Sequence, residues 1–228
     1  MALIRTRAQA GRPWAWLLAL AALLAAWLGP LPGWAERSFT AHMGLHVAVV
    51  AVAAPLLAVG LAGTRLDPAI IMPRLTAPVP ASVLELVVVW GWHAPALHLA
   101  ARHLPYALVW EQAMFLAAGL LVWSSAFGGT PALRVHRAGP GLVALLLTSM
   151  HMTLLGALLA MAPRLLYQHG DGGGHAHTGA ALLGLDALSD QQLGGVIMLA
   201  FGGVSYLIGG LVLLMRMLAA GPAAERNG

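Results

Sequence analysis

The 228-residue sequence contains no cysteine and few charged residues. Without cysteine the chain cannot form a disulfide framework, a thiolate metal site, an iron–sulfur cluster or a covalent c-type haem. Charged residues make up only 9% of the chain and hydrophobic residues 60%, whereas soluble domains carry about 25% charged residues. This balance indicates that lipid is the main solvent. Because cysteine is absent, the ten histidines and ten methionines are the soft or borderline metal ligands of the chain.

Motifs of nucleic-acid binding and of common enzymes are also missing from the sequence. The 12 basic residues exceed the 8 acidic ones. The arginines, however, are spread over loops and form no basic stripe, so we expect no nucleic-acid partner. The sequence has no nucleotide loop, no zincin pair and no nucleophile elbow. We therefore expect a protein that is not an enzyme.

The chain does contain six long apolar segments. All but the first are long enough to cross a hydrocarbon core of about 30 Å at a rise of about 1.5 Å per residue. The pattern predicts an all-α fold, a polytopic transmembrane bundle of about six helices with seven as the alternative. The segments are Pro13–Gly29, His42–Ala62, Val79–Ala101, Tyr106–Phe127, Gly141–Ala162 and Gln192–Met217.

Arginine is distributed unevenly between the two sides of this bundle. With the N-terminus inside, nine arginines lie in inner segments and three in outer ones, which predicts that both termini are cytoplasmic. The first apolar segment could be a cleaved signal peptide, but its Trp-rich flanks favour an uncleaved helix. The predicted organisation is an N-terminal segment with the first membrane helix (1–34), a helical membrane domain (35–218) with a His- and Gly-rich outer loop (163–191), and a cytoplasmic tail (219–228).

With this orientation, five helices place metal-ligand side chains towards the outer side of the membrane. Ionisable side chains inside a bilayer are costly and usually face a partner or a cavity. The inner halves carry far fewer of them, Glu85 being the main exception. The asymmetry predicts a functional site that faces the periplasm. Its candidate residues are His42, His46, His93, His98, Glu111, His151 and Asp190.

His42-Met43-x-x-His46 places two imidazoles on one face of a helix. Residues at positions i and i+4 are neighbours on a helix surface, so both rings could bind one ion, with Met43 at the same edge. The alternative is a pair of interfacial histidines that reach towards water. Further histidines at compatible depths favour the metal-ligand interpretation.

The segment Trp92-His93-Ala94-Pro95 predicts a kinked helix. Proline removes a backbone hydrogen bond and clashes with the preceding turn, so the kink is expected near Gly91 and would turn His93 towards a central cavity. The alternative is a segment of the interfacial aromatic belt, which explains the tryptophans but not His93.

The remaining candidate ligands carry weaker signals. Met150 and Met152 flank His151, but adjacent residues lie about 100° apart on a helix, so His151 is the stronger candidate and the methionines are further contributors. Glu111 could face a cation or balance Arg102. Asp190 could bind metal or favour the positive end of a helix dipole. A Gly-rich tract in the outer loop could capture metal loosely through His169, Asp171, His175 and His177.

Several of these motifs, taken in order, resemble one family. Residues 35–217 look like the CtaG-type cytochrome c oxidase assembly factors of bacteria. The resemblance implies a multi-pass protein of the bacterial inner membrane that is needed to build haem–copper oxidases. The motifs are His42-Met43-x-x-His46, Ala54-Pro55, Trp92-His93-x-Pro95, Glu111, Met150-His151-Met152, Ala162-Pro163-Arg164-x-x-Tyr167 and Asp190-Gln191-Gln192-x-x-Gly195.

The leading hypothesis is therefore a metallochaperone that binds copper near the periplasmic face. It would pass the ion to an oxidase subunit, and its other partner is the lipid bilayer; a homo-oligomer is left open. The residues that the resemblance marks are His42, His46, His93, His151 and Asp190. The alternatives are a haem-binding membrane protein, a copper or cation transporter, and a scaffold that binds no metal.

Overall fold

The computed structural model describes residues 12–167 and 184–225. These residues form helices and connecting turns and contain no β-strand, which confirms the all-α fold class. Two short helices, Leu31–Ala35 and Pro68–Ile71, lie in the connections. The main helices are α1 (Pro13–Leu28), α2 (Phe39–Leu61), α3 (Pro78–Trp92), α4 (Pro95–His103), α5 (Pro105–Phe127), α6 (Pro131–Ala160) and α7 (Ala187–Ala219, continuing to Glu225).

Four of these helices are long and apolar enough to cross a membrane, namely α2, α5, α6 and α7. The pair α3 and α4 gives a fifth span if the two are counted together, although they are bent by 70° at their junction. The 16-residue helix α1 is apolar but shorter. Every predicted apolar segment is thus mostly helical, and the described residues give four or five spans by length and composition where the sequence predicts about six.

Proline determines where most of these helices begin. Helices α1, α3, α4, α5 and α6 each start at a proline. The N–H groups of the first helical turn have no acceptor within the helix, so the N–H that proline lacks is not missed there, and the fixed φ of proline already suits a helix. A proline can therefore begin a new helix shortly after the preceding one ends. As a result, α3, α4 and α5 follow one another within a few residues.

The junction of α3 and α4 differs from the single kinked helix that the sequence predicts. Ala94 has an extended backbone (φ −64°, ψ 137°), as expected for a residue that precedes proline. The break therefore lies at His93 and Ala94 rather than near Gly91. His93 caps the end of α3, and Pro95 begins a separate helix at 70° to the first.

A proline inside α2 has the opposite outcome, because the helix continues past it. Pro55 cannot donate to the carbonyl of Ala51, and the preceding residues Ala48–Ala53 adopt a π-helical turn. The freed carbonyl of Ala51 accepts a hydrogen bond from Ser205 Oγ on α7 at 2.8 Å. Trp123 Nε1 on α5 donates to the neighbouring carbonyl of Val50 at 3.2 Å.

Glycines let α7 approach α6 and α2 closely. A Cβ atom on Gly156 of α6 would lie 2.9 Å from the backbone nitrogen of Leu199, and a Cβ on Gly194 of α7 would lie 2.5 Å from the ring of Phe39. Real Cβ contacts are not this short, so only glycine fits. Small residues commonly permit such close approaches between helices in membrane bundles. The approach at Gly194 places the start of α7 beside the start of α2.

Asp67 joins two loops at the other end of the bundle. Its fully buried carboxylate accepts hydrogen bonds from the backbone N–H groups of Gly63 (2.7 Å), Ala69 (2.9 Å) and Gly129 (2.6 Å). Gly129 has a φ of +88°, which suits glycine. The loop after α2 is thereby fixed to the loop after α5.

Asp67→Ala is expected to destabilise the protein by about 2–4 kcal/mol, because it leaves three backbone N–H groups without their acceptor. The measurement is thermal unfolding of the purified protein in detergent. Thr130→Ala serves as the control, since the Thr130 hydroxyl caps α6 through one exposed hydrogen bond of 3.3 Å and its loss should cost about 1 kcal/mol. Equal effects of the two substitutions would contradict the role assigned to Asp67.

Candidate metal centre

Four imidazole rings meet at the end of the bundle where α2 begins. His42 and His46 come from successive turns of α2, His93 from the end of α3 and His98 from α4. The ring centres lie 4.5 Å apart for His42 and His46, 5.5 Å for His46 and His93, 6.5 Å for His93 and His98, and 4.8 Å for His98 and His42. Each residue is at most 6% exposed. We call these four residues the histidine cluster.

The 70° bend between α3 and α4 explains how His98 joins the cluster. In one continuous helix, residues five positions apart such as His93 and His98 would point in different directions. Because the chain turns at Ala94, both rings contact the histidines of α2. From the sequence, His98 is a weaker candidate than His93. Depth along a helix contains no information about the direction of the chain after a break.

A buried carboxylate lies against the cluster. Glu111, in α5, has no solvent exposure, and its oxygens lie 3.1 Å from His42 Nε2 and 3.6 Å from His46 Nε2. Ligand atoms of His42, His46 and Glu111 all lie within 4.8 Å of one another, close enough to hold one metal ion. Gln112 Nε2 donates to His46 Nδ1 at 3.0 Å and to Glu111 at 3.3 Å.

The charge of Glu111 has no arginine partner in the part of the chain that the structure describes. Its polar contacts are the two histidines and Gln112. A buried carboxylate is costly unless a positive charge or several hydrogen bonds compensate it. A protonated imidazole or a bound cation would supply that charge. The site is therefore suited to cations rather than anions.

The hydrogen bonds of His93 leave one ring nitrogen free for a ligand. The carbonyl of Val89 only accepts, so His93 Nδ1 carries the proton and donates to it at 2.7 Å. The Nε2 lone pair is then available, which is the arrangement that orients histidine ligands in metal sites. Among the described residues, five buried nitrogens of the cluster have no hydrogen-bond partner: His42 Nδ1, His46 Nε2, His93 Nε2, His98 Nδ1 and His98 Nε2.

Aromatic side chains enclose the cluster on two sides. The ring of Tyr167 lies 4.1 Å from that of His98 and stacks on Phe39 at 5.2 Å, and its hydroxyl donates to the carbonyl of His93 at 3.0 Å. Burial raises the pKa of Tyr167, so this hydroxyl keeps its proton. Phe115 packs on His46 at 4.5 Å. These residues and Gln112 were missed from sequence, although Gln112 follows Glu111 and Tyr167 belongs to a noted motif.

Asp190 belongs to the first turn of α7, and its side chain caps the start of α2. Its carboxylate accepts hydrogen bonds from the Ser38 hydroxyl (2.8 Å) and from the backbone N–H groups of Phe39 (2.6 Å) and Thr40 (3.2 Å). These N–H groups belong to the first turn, which has no acceptors within the helix. A negative charge at this end also suits the helix dipole. Asp190 thus holds α7 against the helix that carries His42 and His46.

The other predicted ligands have different positions. No hydrogen bond, ion pair or ring contact joins half-buried His151 to the cluster, and neither of its ring nitrogens has a partner among the described residues. Met150 is 69% exposed, and Met43 is packed in the hydrophobic core. Met152 does approach the cluster, because it lines the cavity described next. The Gly-rich tract with His169, Asp171, His175 and His177 lies outside the described residues.

A small cavity of about 20 Å³ adjoins the cluster on the side of the bundle interior. His46 and His93 line it together with two buried methionines, Met152 and Met198. Both π-helical turns, Ala48–Ala53 and Met198–Gly202, contribute to its wall. A space of this size accommodates one water molecule or one ion. Met198 is not among the ligands predicted from the sequence.

The fold and this site define a helical membrane protein with a buried histidine–carboxylate centre. The chain belongs to the family of cytochrome c oxidase caa3 assembly factors (CtaG), whose model matches residues 1–220. This confirms the resemblance drawn from the sequence motifs and makes an oxidase its partner. No curated protein and no solved structure matches the chain.

Asp190→Ala is expected to destabilise the protein by about 2–4 kcal/mol, because the first turn of α2 loses a charged cap that is buried. Asp186→Ala is the matched control. Asp186 caps α7 through its own residues Leu188 and Ser189 and is exposed, so its loss should cost about 1 kcal/mol. Thermal unfolding of both variants in detergent compares them. A smaller effect at Asp190 than at Asp186 would contradict the capping role.

Proposed function

We propose that this assembly factor binds copper at the histidine cluster and delivers it to a subunit of the oxidase, acting as a metallochaperone rather than as an enzyme. The arginine distribution and the family suggest the bacterial inner membrane, with the cluster on the periplasmic side. The observation that carries the proposal is a group of five buried imidazole nitrogens without hydrogen-bond partners beside a buried carboxylate, of which only His46 Nε2 has an ion-pair contact, 3.6 Å from Glu111. Such atoms are rare in folded proteins and call for a ligand.

The spacing of the rings suits one ion held by imidazoles. A metal about 2.0 Å from a ring nitrogen lies about 3 Å from the ring centre, so two rings in a tetrahedral site are about 5 Å apart. The distances around the cluster run from 4.5 to 6.5 Å. Small rotations of the side chains would bring several nitrogens to one point. His42, His46, His93 and His98 would then supply the ligands, with Glu111 beside them.

The donor set agrees with copper. Imidazole binds copper in both of its common oxidation states, and thioethers favour Cu(I). Met152 and Met198, which line the cavity next to His46 and His93, add soft donors on the inner side of the cluster. The cavity, at about 20 Å³, has room for an ion but not for a porphyrin. This favours copper over the haem-binding alternative.

Delivery requires that the ion can leave, and the cluster lies close to one end of the bundle. His42 and Glu111 lie in the first turns of α2 and α5, and Tyr167 lies in the segment that follows α6. Tyr167 contacts both His98 and the backbone of His93. Displacement of this segment by an oxidase subunit would expose two of the proposed ligands. The acceptor would then compete for them directly.

The first test replaces two proposed ligands together. His46→Ala with His93→Ala should lower copper affinity by at least about 100-fold, because loss of an orienting partner alone already costs 10- to 100-fold. A strain that carries only this variant should lose assembled oxidase, with recovery when copper is added to the medium. Exposed His136→Ala is the control. Unchanged copper content measured by mass spectrometry, together with normal oxidase activity, would contradict the proposal.

The second test concerns the methionines. Met152→Leu with Met198→Leu preserves side-chain volume and should weaken Cu(I) binding about tenfold while leaving Cu(II) binding unchanged. Competition with a chromophoric Cu(I) chelator measures the effect. Met161→Leu is the control because Met161 is 80% exposed. If both variants bind Cu(I) as the wild type does, thioether ligation is wrong while imidazole ligation stands.

A further inference from the structure

A buried polar pair beside the small cavity takes no part in the proposed copper function. Glu85 on α3 has no solvent exposure, and its Oε1 atom accepts a hydrogen bond from the Tyr206 hydroxyl on α7 at 2.7 Å. Its Oε2 atom has no hydrogen-bond partner among the described residues. In the sequence, Glu85 is the main acidic exception in the inner half of the bundle. A carboxyl group at this depth calls for a function, because ionisable side chains inside a bilayer are costly.

No basic side chain in the described ranges 12–167 and 184–225 contacts Glu85. Its polar neighbours are two hydroxyl groups, those of Tyr206 and of Thr148 on α6. Thr148 also shares a hydrogen bond of 3.1 Å with Ser82, which lies one turn before Glu85. Hydroxyl groups can donate to a carboxylate but bring no positive charge. A carboxylate buried without a counter-charge is so costly that the group takes up a proton instead, so these surroundings favour the protonated form of Glu85.

Tyr206 is the titratable side chain that faces Glu85, because the other ionisable groups of the surrounding helices lie at other levels. Helices α4, α5 and α6 pack against α3. The ionisable groups of α4 follow its break from α3, and Glu111 of α5 lies against the histidine cluster. His151, one turn after Thr148 on α6, has no hydrogen bond to Glu85. The groups towards the ends of α6 and α7 are Arg134, His136, Arg137, Asp190 and Arg216.

Tyr206 also connects Glu85 with the small cavity beside the histidine cluster. Its side chain lines this cavity together with His46 and His93, and its ring stacks on that of Trp123 at 5.1 Å. The described residues that line the cavity include no acid. Glu85 precedes His93 by eight residues, or about 12 Å along α3 at a rise of about 1.5 Å per residue. At this distance inside an apolar bundle, a cation in the cavity and a charge on Glu85 would attract each other.

We propose that Glu85 is a proton-binding site coupled to the cavity: it holds a proton while the cavity is empty and loses it more readily when a cation is bound there. The step moves one proton from Glu85 Oε2 to bulk water, and the carboxylate keeps the hydrogen bond from Tyr206. No bond to the cation forms, and no electron is transferred. The cation is the copper ion of the proposed function, on which this inference rests. Proton and copper thus compete although they bind at different places.

The size of the coupling follows from the distance. Two unit charges about 12 Å apart, at an effective dielectric constant of about 20, change an equilibrium constant by about tenfold. A carboxylate attracts a cation, so loss of the Glu85 proton should strengthen copper binding by about this factor. Because the proton is lost as the pH rises, copper affinity should increase with pH. The increase should be larger in the wild type than in a variant that cannot ionise at this position.

The first experiment measures the Cu(I) affinity of the purified full-length protein over a range of pH, by competition with a chromophoric chelator. Glu85→Gln preserves the shape of the side chain and the acceptor for Tyr206 but cannot ionise. At acid pH, wild type and Glu85→Gln should bind equally, whereas at alkaline pH the wild type should bind about tenfold more tightly. Glu36→Gln, which removes an exposed acid, is the control and should follow the wild type. Equal pH dependence in wild type and Glu85→Gln would overturn the coupling.

The second experiment uses infrared spectroscopy of the metal-free protein, so it tests the proton site without copper. A protonated carboxyl group has a C=O stretching band, sensitive to D₂O, that a carboxylate lacks. We expect this band in the wild type and in Glu36→Gln, and its loss in Glu85→Gln. Tyr206→Phe keeps the test decisive if Glu85→Gln does not fold. It should shift the band to higher frequency, because the carboxyl group loses the hydrogen bond from Tyr206.

The two experiments separate this inference from the copper function. With Cu(I) bound, the band of the wild type should disappear at a lower pH than in the metal-free protein. Absence of the band from the metal-free wild type would overturn the proton site, whatever the metal does. A band that responds to pH identically with and without bound copper would overturn the coupling and leave the copper function intact. A wild type that binds no copper would overturn the copper function and the coupling together.

Discussion

In an apolar bundle every backbone polar group needs a partner inside the protein, and this constraint shapes the structure around Pro55 in α2. Pro55 leaves the carbonyl of Ala51 free, and Ser205 on α7 donates to it. The adjacent carbonyl of Val50 accepts from Trp123 on α5. Three helices are thereby joined around one π-helical turn. The same turn forms part of the cavity beside the histidine cluster.

Backbone carbonyls also orient a proposed ligand at the junction of α3 and α4, where the carbonyl of Val89 accepts from the backbone N–H of His93 as well (3.1 Å). Pro95 ends α3, and the carbonyl of Val89 accepts from the Nδ1–H group of His93. That hydrogen bond fixes the tautomer and leaves Nε2 free. The carbonyl of His93 is in turn satisfied by the hydroxyl of Tyr167. The residue at which α3 ends is therefore also a proposed ligand, and its ring and its carbonyl are both held by hydrogen bonds.

The position of each candidate residue along its helix was predictable from the sequence. The direction of its side chain around the helix, and the direction of the chain after a break, were not. Spacing was sufficient to pair His42 with His46, because one helical turn separates them. His98 joined the cluster only through a 70° bend whose direction depends on packing. Asp190 has the expected depth, but its carboxylate meets the N–H groups of α2 rather than the imidazoles. The direction in which His151 points around α6 could not be judged from apolar periodicity, which continues on both sides of it.

The charge of the cluster bears on which copper ion it would hold. A glutamate carboxylate can contribute one negative charge to the donor set, whereas neutral imidazoles contribute none. Cu(I) would make the centre neutral, whereas Cu(II) would leave a net positive charge in a site with almost no solvent exposure. Burying an uncompensated charge is costly, so the electrostatics favour Cu(I). The methionines beside His46 and His93 lead to the same preference from ligand softness. The charge of Glu111 and the softness of Met152 and Met198 are properties of different residues, so if the cluster holds copper as proposed, both favour Cu(I).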